Sequence, residues 1–187
     1  SQLVALGRSG RLQDTTVLIQ QTKRLLADPR SEALATRFAA QWLRLQDIEL
    51  VHPDANQYPD FREQLADDMR RETELFFYSL VRENRSLLDL FTANYSYVNE
   101  SLARHYDMPG VVGDQFRKVT YPAGSPRRGI LGHGSVLLLT SHANRTSPVL
   151  RGKWVMEVLL GSPPPPPPPD VPDLEKTGEA KEGRMLT

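Results

Sequence analysis

The chain has 187 residues, 39% of them apolar, with 23 basic and 23 acidic side chains, 15 prolines and no cysteine. That length suits one sizeable domain or two small ones, and zero net charge removes a global attraction to nucleic acid or an anionic membrane. The missing cysteine excludes disulfides, thiolate metal sites and covalent haem attachment within these residues, and no apolar run approaches the roughly 20 residues that span a bilayer.

The chain starts at Ser1 as though mid-helix, without a signal peptide, and stops at Thr187, so it reads as a piece of a longer protein. Asp14 is placed to cap a helix carrying Val17, Leu18, Ile19, Leu25 and Leu26. Asp28-Pro29-Arg30 breaks that helix, and Ser31 is expected to cap the next one, with Leu34, Phe38, Trp42 and Leu45 as its core-facing stripe. The longest helix is predicted from residue 59 or 60 to residue 82, burying Phe61, Leu65, Met69, Phe76 and Leu80. Asp67 with Arg71, and Arg70 with Glu74, are spaced as opposite-charge pairs on its wet face. A short helix follows Ser86, and Asn99 can cap another that carries Leu102, Ala103 and Tyr106.

From Gly110 the chain becomes rich in glycine and proline, with an extended pair or short strand expected at 116–121. Residues 131–139 suit a helix or a buried strand, and the need for a partner beside the neighbouring helices favours a helix. Ser147-Pro148 reads as an N-cap followed by proline at the first helical position, opening a helix through Trp154 towards Gly161. Residues 163–169 are seven consecutive prolines, a polyproline II rod of about 22 Å. The polar remainder to Thr187 lacks apolar periodicity and reads as an extended or flexible tail. The predicted fold is therefore mainly α: a multi-helix bundle over 1–116, a loop-rich basic lobe with one or two helices packed on it over 117–162, then the rod and tail over 163–187.

Charge is the most unusual local feature. Between Gln115 and Met156 there is no Asp or Glu, yet Arg117, Lys118, Arg127, Arg128, Arg145, Arg151 and Lys153 all occur. One reading is an anion site built from arginine forks and loop amides. The other, which we favour, has these cations pair with carboxylates of the helical half such as Asp67, Glu72 or Asp89. Glu72 lies beside the apolar stripe of its helix, where a carboxylate must pair or stay protonated, so Arg127, Arg128, Arg145 or Arg151 is its expected partner.

The polar cluster from Ser141 to Pro148 could bind an anion or satisfy its own loop backbone. Catalytic triads and dinucleotide fingerprints are not met: Gly132-His133-Gly134-Ser135 lacks the nucleophile-elbow spacing and the third glycine. His52, His105, His133 and His142 stand too far apart for a local metal motif, so neither a catalytic residue nor a metal ligand is assigned.

Several longer strings resemble a known arrangement. They include Leu26-Ala27-Asp28-Pro29-Arg30, Phe38-Ala39-Ala40-Gln41-Trp42-Leu43, Arg70-Arg71-Glu72-Thr73-Glu74-Leu75-Phe76-Phe77 and Tyr97-Val98-Asn99-Glu100-Ser101-Leu102. Further on come Arg128-Gly129-Ile130-Leu131-Gly132 and Thr140-Ser141-His142-Ala143-Asn144-Arg145-Thr146-Ser147-Pro148. With the proline run, they resemble two adjacent domains of unknown function in large planctomycete-type secreted or periplasmic proteins that also carry c-type cytochrome modules. The first extends to about 106–116 and the second starts near 119.

The resemblance implies a periplasmic or extracytoplasmic protein, a haem-bearing domain of the same polypeptide as partner, and haem c attached beyond Thr187. No cofactor is then expected in this chain, although His133, His142, Arg145, Arg151 and Lys153 are the candidates for approaching one. Three functions are weighed: a non-catalytic scaffold or docking module, part of the pocket of a haem-dependent oxidoreductase, and an envelope or polysaccharide binding module. The last requires an exposed aromatic platform.

Overall fold

Asp14 opens the first long helix as its position suggests. Its carboxylate accepts the Thr16 amide at 2.8 Å, starting α2 (Thr15–Ala27), which follows the short α1 (Gln2–Arg8). The computed structural model describes residues 2–165. Val17 is buried on α2, whereas Leu18, Ile19 and Leu25 are exposed.

Two expectations for the next segment are corrected. Asp28, not Ser31, is the cap: it accepts the Arg30 amide at 2.9 Å at the head of a 3-10 turn over Pro29–Glu32. Ser31 sits inside that turn and donates its hydroxyl to the Leu26 carbonyl. The stripe Leu34, Phe38, Trp42, Leu45 reaches the core only at its far end, where Leu45 is buried and Trp42 packs half-buried beside it. Leu34 and Phe38 lie at the surface, where Leu34–Ala39 winds as a π-helix with i→i+5 bonds. Ala35, Ala39 and Leu43 are buried instead, and Phe38 is 58% exposed. After α3 (Ala40–Trp42), the Trp42 indole N–H donates to the Val158 carbonyl at 2.8 Å, tying α3 to residues near the end of the described chain.

Helix α4 (Glu63–Arg82) buries Leu65, Met69, Phe76 and Leu80 as expected, with Phe61 half-buried just before it. Arg70 pairs with Glu74 at 3.1 Å. Arg71 turns to Glu32 at 2.7 Å and Glu74 at 3.3 Å rather than to Asp67. Then come α5 (Asp89–Thr92), β1 (Tyr95–Val98), α6 (Glu100–His105) and β2 (Arg117–Thr120). The strands pair antiparallel with Tyr95 opposite Thr120 and Val98 opposite Arg117. The sequence predicts an extended pair at 116–121, matching β2, but not β1, whose four residues are too short a run to establish a period.

Asn99 caps α6, accepting the Leu102 amide at 2.9 Å from a 5% exposed side chain. Asn99→Ala is expected to destabilise by about 1 kcal/mol, read as a melting point roughly 2–4 °C lower.

Residues 131–139 resolve as a 3-10 turn (Ile130–Gly132) leading into α7 (Gly134–Leu139). Ser147 caps α8 (Pro148–Trp154), which continues as a π-helix over Val155–Leu159. The protein is mainly α-helical, with one two-stranded sheet among the described residues.

One apolar cluster joins Leu43, Phe76 and Tyr95 to Ile130, Val136, Trp154 and Val158, so the early and late parts of the chain share an interior. A second cluster packs Leu65, Met69, Val98, Leu102, Tyr106 and Tyr121 on the other flank of α4. Each large side chain so buried contributes about 1.5–3 kcal/mol of transfer free energy. Most of the polyproline rod and the whole tail, residues 166–187, lie outside the described residues.

Candidate functional site

Glu72, on the buried face of α4, has no solvent exposure and takes two hydroxyl donors. Ser96 on β1 donates to Oε1 at 2.5 Å and Tyr106, just past α6, donates to Oε2 at 2.6 Å. The Tyr106 oxygen in turn accepts the Gly134 amide at 2.6 Å. On the other side, Thr73 Oγ1 lies 2.9 Å from His133 Nδ1 and 2.7 Å from Ser135 Oγ, while His133 Nε2 lies 3.4 Å from Ser96 Oγ. His133, Thr73, Ser96 and Ser135 are also fully buried, and the imidazole meets the Phe76 ring edge-on at 4.9 Å.

With Glu72 ionised, these groups order in one direction. The Ser96 proton goes to Glu72, so His133 Nε2 must carry a hydrogen to bond Ser96. His133 Nδ1 then accepts from Thr73, and Thr73 accepts from Ser135. Burial pushes the Glu72 carboxyl up to about 7, against the lowering effect of the two hydroxyls and the Arg127 charge. Burial, with the Arg127 charge added, pushes His133 down to about 3, so the ring is neutral at physiological pH. Tyr106 is raised well above its ordinary range by burial first and the Glu72 carboxylate second. Tyr121 is pushed up to about 12 by the same two causes in the same order.

Against this network lies a cavity of about 420 Å³. Tyr106 and Gly134 belong to both, and a Cβ on Gly134 would stand 2.7 Å from the Tyr106 hydroxyl and 2.8 Å from Cγ of the lining residue Met69. Phe61, Leu65, Leu137 and Leu138 extend its apolar wall; Arg127, His105, His142 and Arg145 supply nitrogen. Loops 53–61 and 141–146 form its outer sides, tied where the Asp54 amide donates to the Ala143 carbonyl at 2.8 Å. Loop 141–146 is itself a tight return, with a Ser141–Thr146 bridge and the His142 amide on the Arg145 carbonyl.

The structure thus separates the residues that sequence reasoning grouped. His142 and Arg145 line the cavity, whereas His133 is sealed behind it in the Glu72 network. Arg151 bonds Thr146 at 3.0 Å, and Lys153 pairs with Glu157 at 3.6 Å. Glu72 is not joined to Arg127, Arg128, Arg145 or Arg151 by an ion pair among the described residues; hydroxyls take its oxygens instead. Arg127 and Arg128 bond carbonyls of their own loop, at Gly132 and Ser125. Of the basic stretch, Lys118 reaches a carboxylate of the helical half, Glu83, at 3.5 Å.

The physical reason is local. Acids on the helical half are taken by nearer arginines, as in Arg85–Asp89 and Arg104–Glu100. Sequence reasoning missed Thr73, Ser96, Tyr106 and Ser135, because Glu72 finds Ser96 and Tyr106 24 and 34 residues away with no local spacing to announce them.

The fold defines a mainly α-helical protein whose early and late segments share one apolar cluster and border a small chamber. No group of three or more metal-binding side chains occurs among the described residues. With no cysteine, the chain cannot itself attach a haem covalently. A model for a protein of unknown function (DUF1592), named PSD4, matches residues 1–108, and the chain belongs to that family. A second model for a protein of unknown function (DUF1588), named PSCyt3, matches residues 127–187. No curated protein and no solved structure matches the chain. No helix among the described residues is long and apolar enough to cross a membrane.

Proposed function

We propose that the chain is a non-catalytic support and docking module of an exported, cytochrome c-associated protein, its loop-rich basic lobe facing the haem-bearing part of the same polypeptide. The carrying observation is the buried join: Thr73 and Tyr106 of the first segment hydrogen-bond His133, Ser135 and Gly134 of the second, and Tyr106 also donates to Glu72. The name of the second family model, PSCyt3, and the sequence resemblance support the cytochrome association. Cations such as Arg128 and Arg145, unpaired with acids among the described residues, leave positive charge for a partner's propionates or carboxylates.

The test titrates this chain with the cytochrome portion of its parent polypeptide at low and high salt. Association that weakens with salt, and weakens further in an Arg128→Gln, Arg145→Gln variant, supports the reading. No association at low salt overturns it.

One observation favours a second reading, part of an oxidoreductase pocket: His142 and Arg145 line the same cavity as Arg127. In the haem-bearing parent, His142→Ala and Arg145→Ala would then change the haem spectrum or potential, and unchanged values reject it. A polysaccharide platform has less support, since Tyr95 and Tyr106 are buried and the most exposed aromatic is Phe38, beside Trp42 and Phe77.

A further inference from the structure

Arg127 is half-buried at the wall of the 420 Å³ cavity, with its guanidinium carbon 4.1 Å from the Tyr106 ring centroid. Among the described residues its side chain makes one hydrogen bond, to the Gly132 carbonyl at 2.6 Å, and no carboxylate lies within ion-pair distance. The acid whose field it shares, Glu72, already has a hydroxyl on each oxygen. A guanidinium carries five N–H donors in a planar fork, so the remaining ones are left for something that enters the chamber.

The rest of the wall says what that is. Phe61, Leu65, Met69, Leu137 and Leu138 are apolar, and Asp60 is the one acid on the lining. Small-molecule sites run from about 300 to 1,000 Å³ and combine apolar walls with a few placed polar groups. A single inner cation calls for one negative group rather than several. The rings of Phe61 and Tyr106 and the Met69 side chain on the lining favour an aromatic body over a flexible chain.

We propose that this cavity binds an aromatic carboxylate, its carboxylate on Arg127 and its ring in the apolar chamber between loops 53–61 and 141–146. The site stands apart from the docking reading, because docking is read by association with another protein and this by uptake of a small molecule. No chemical step on the ligand is implied.

Calorimetric titration of the purified chain with 2-naphthoate, the neutral 2-naphthalenemethanol and acetate tests it. One naphthoate per chain is expected, with the alcohol about ten-fold weaker and acetate weaker still. Arg127→Gln should weaken naphthoate by about ten-fold and leave the alcohol unchanged. Leu137→Trp, which fills the chamber without touching the cation, should weaken both, and it decides the matter if Arg127→Gln does not fold. Absence of naphthoate binding at millimolar concentration overturns the proposal. So does equal affinity for naphthoate and the alcohol, or wild-type binding in Leu137→Trp.

Discussion

Between pH 4.5 and 7 the stability of Glu72→Gln relative to the wild-type protein is expected to improve by about 3 kcal/mol. Glu72 has its ordinary carboxyl value of 4.5 in the unfolded chain and about 7 in the folded one. Across that window the folded state holds the extra proton, so wild-type stability falls as pH rises. His133 acts in the opposite sense, with 6.5 unfolded and about 3 folded: the unfolded state holds the extra proton, and stability rises with pH over that range.

In the wild-type protein the two slopes oppose each other from pH 4.5 to 6.5. In Glu72→Gln only the His133 slope remains. Urea unfolding of both proteins at several pH values checks this, and parallel profiles would refute it. Carboxylates elsewhere tilt both curves alike and drop out of the difference.

The same titration has a spectroscopic readout. Tyr106 is committed to Glu72, because its oxygen already takes the Gly134 amide. Ser96 is the adaptable partner: once Glu72 is protonated, it can accept from Glu72 and donate to His133 Nε2. Nitrogen shifts of His133 are therefore expected to report a change of tautomer, from the Nε2–H form above pH 7 to the Nδ1–H form below it.

Gly129→Ala is expected to destabilise by more than about 4 kcal/mol or to prevent folding. Gly129 has φ 45° and ψ −158°, close to a region that only glycine populates. A Cβ there would overlap the Leu90 carbonyl oxygen and stand 2.7 Å from the Phe91 carbonyl carbon, backbone atoms that cannot rotate away. Gly124 is the control, since its φ is 81° but nothing lies within 4 Å of a built Cβ. Gly124→Ala should then show the conformational penalty alone, roughly 1–2 kcal/mol. Thermal melts of the two variants separate strain from collision, and equal losses would show that the approach to Leu90 is not tight.

Local rules were legible wherever one residue acts on its own neighbours. Asp14, Asn99 and Ser147 were identified as caps because a side-chain oxygen two or three residues before an amide suffices. The apolar face of α4 and the break at Asp28-Pro29 were equally plain, since helical period and proline sterics are properties of a short stretch. Burial of Glu72 also followed from its place on that face.

What the polar groups bond to was decided only by the tertiary structure. The guanidinium expected on Glu72 is displaced by Ser96 and Tyr106, whose distance along the chain carries no periodic signal. Along the π-helical turn Leu34–Ala39, likewise, Ala35 and Ala39 are buried while Phe38 is exposed, although the spacing of Leu34, Phe38 and Trp42 suits the core-facing stripe of an ordinary helix. Short-range geometry is encoded residue by residue. Which hydroxyl, ring or cation reaches a buried carboxylate depends on how whole elements pack, and packing sums many weak contacts that no single stretch of chain contains.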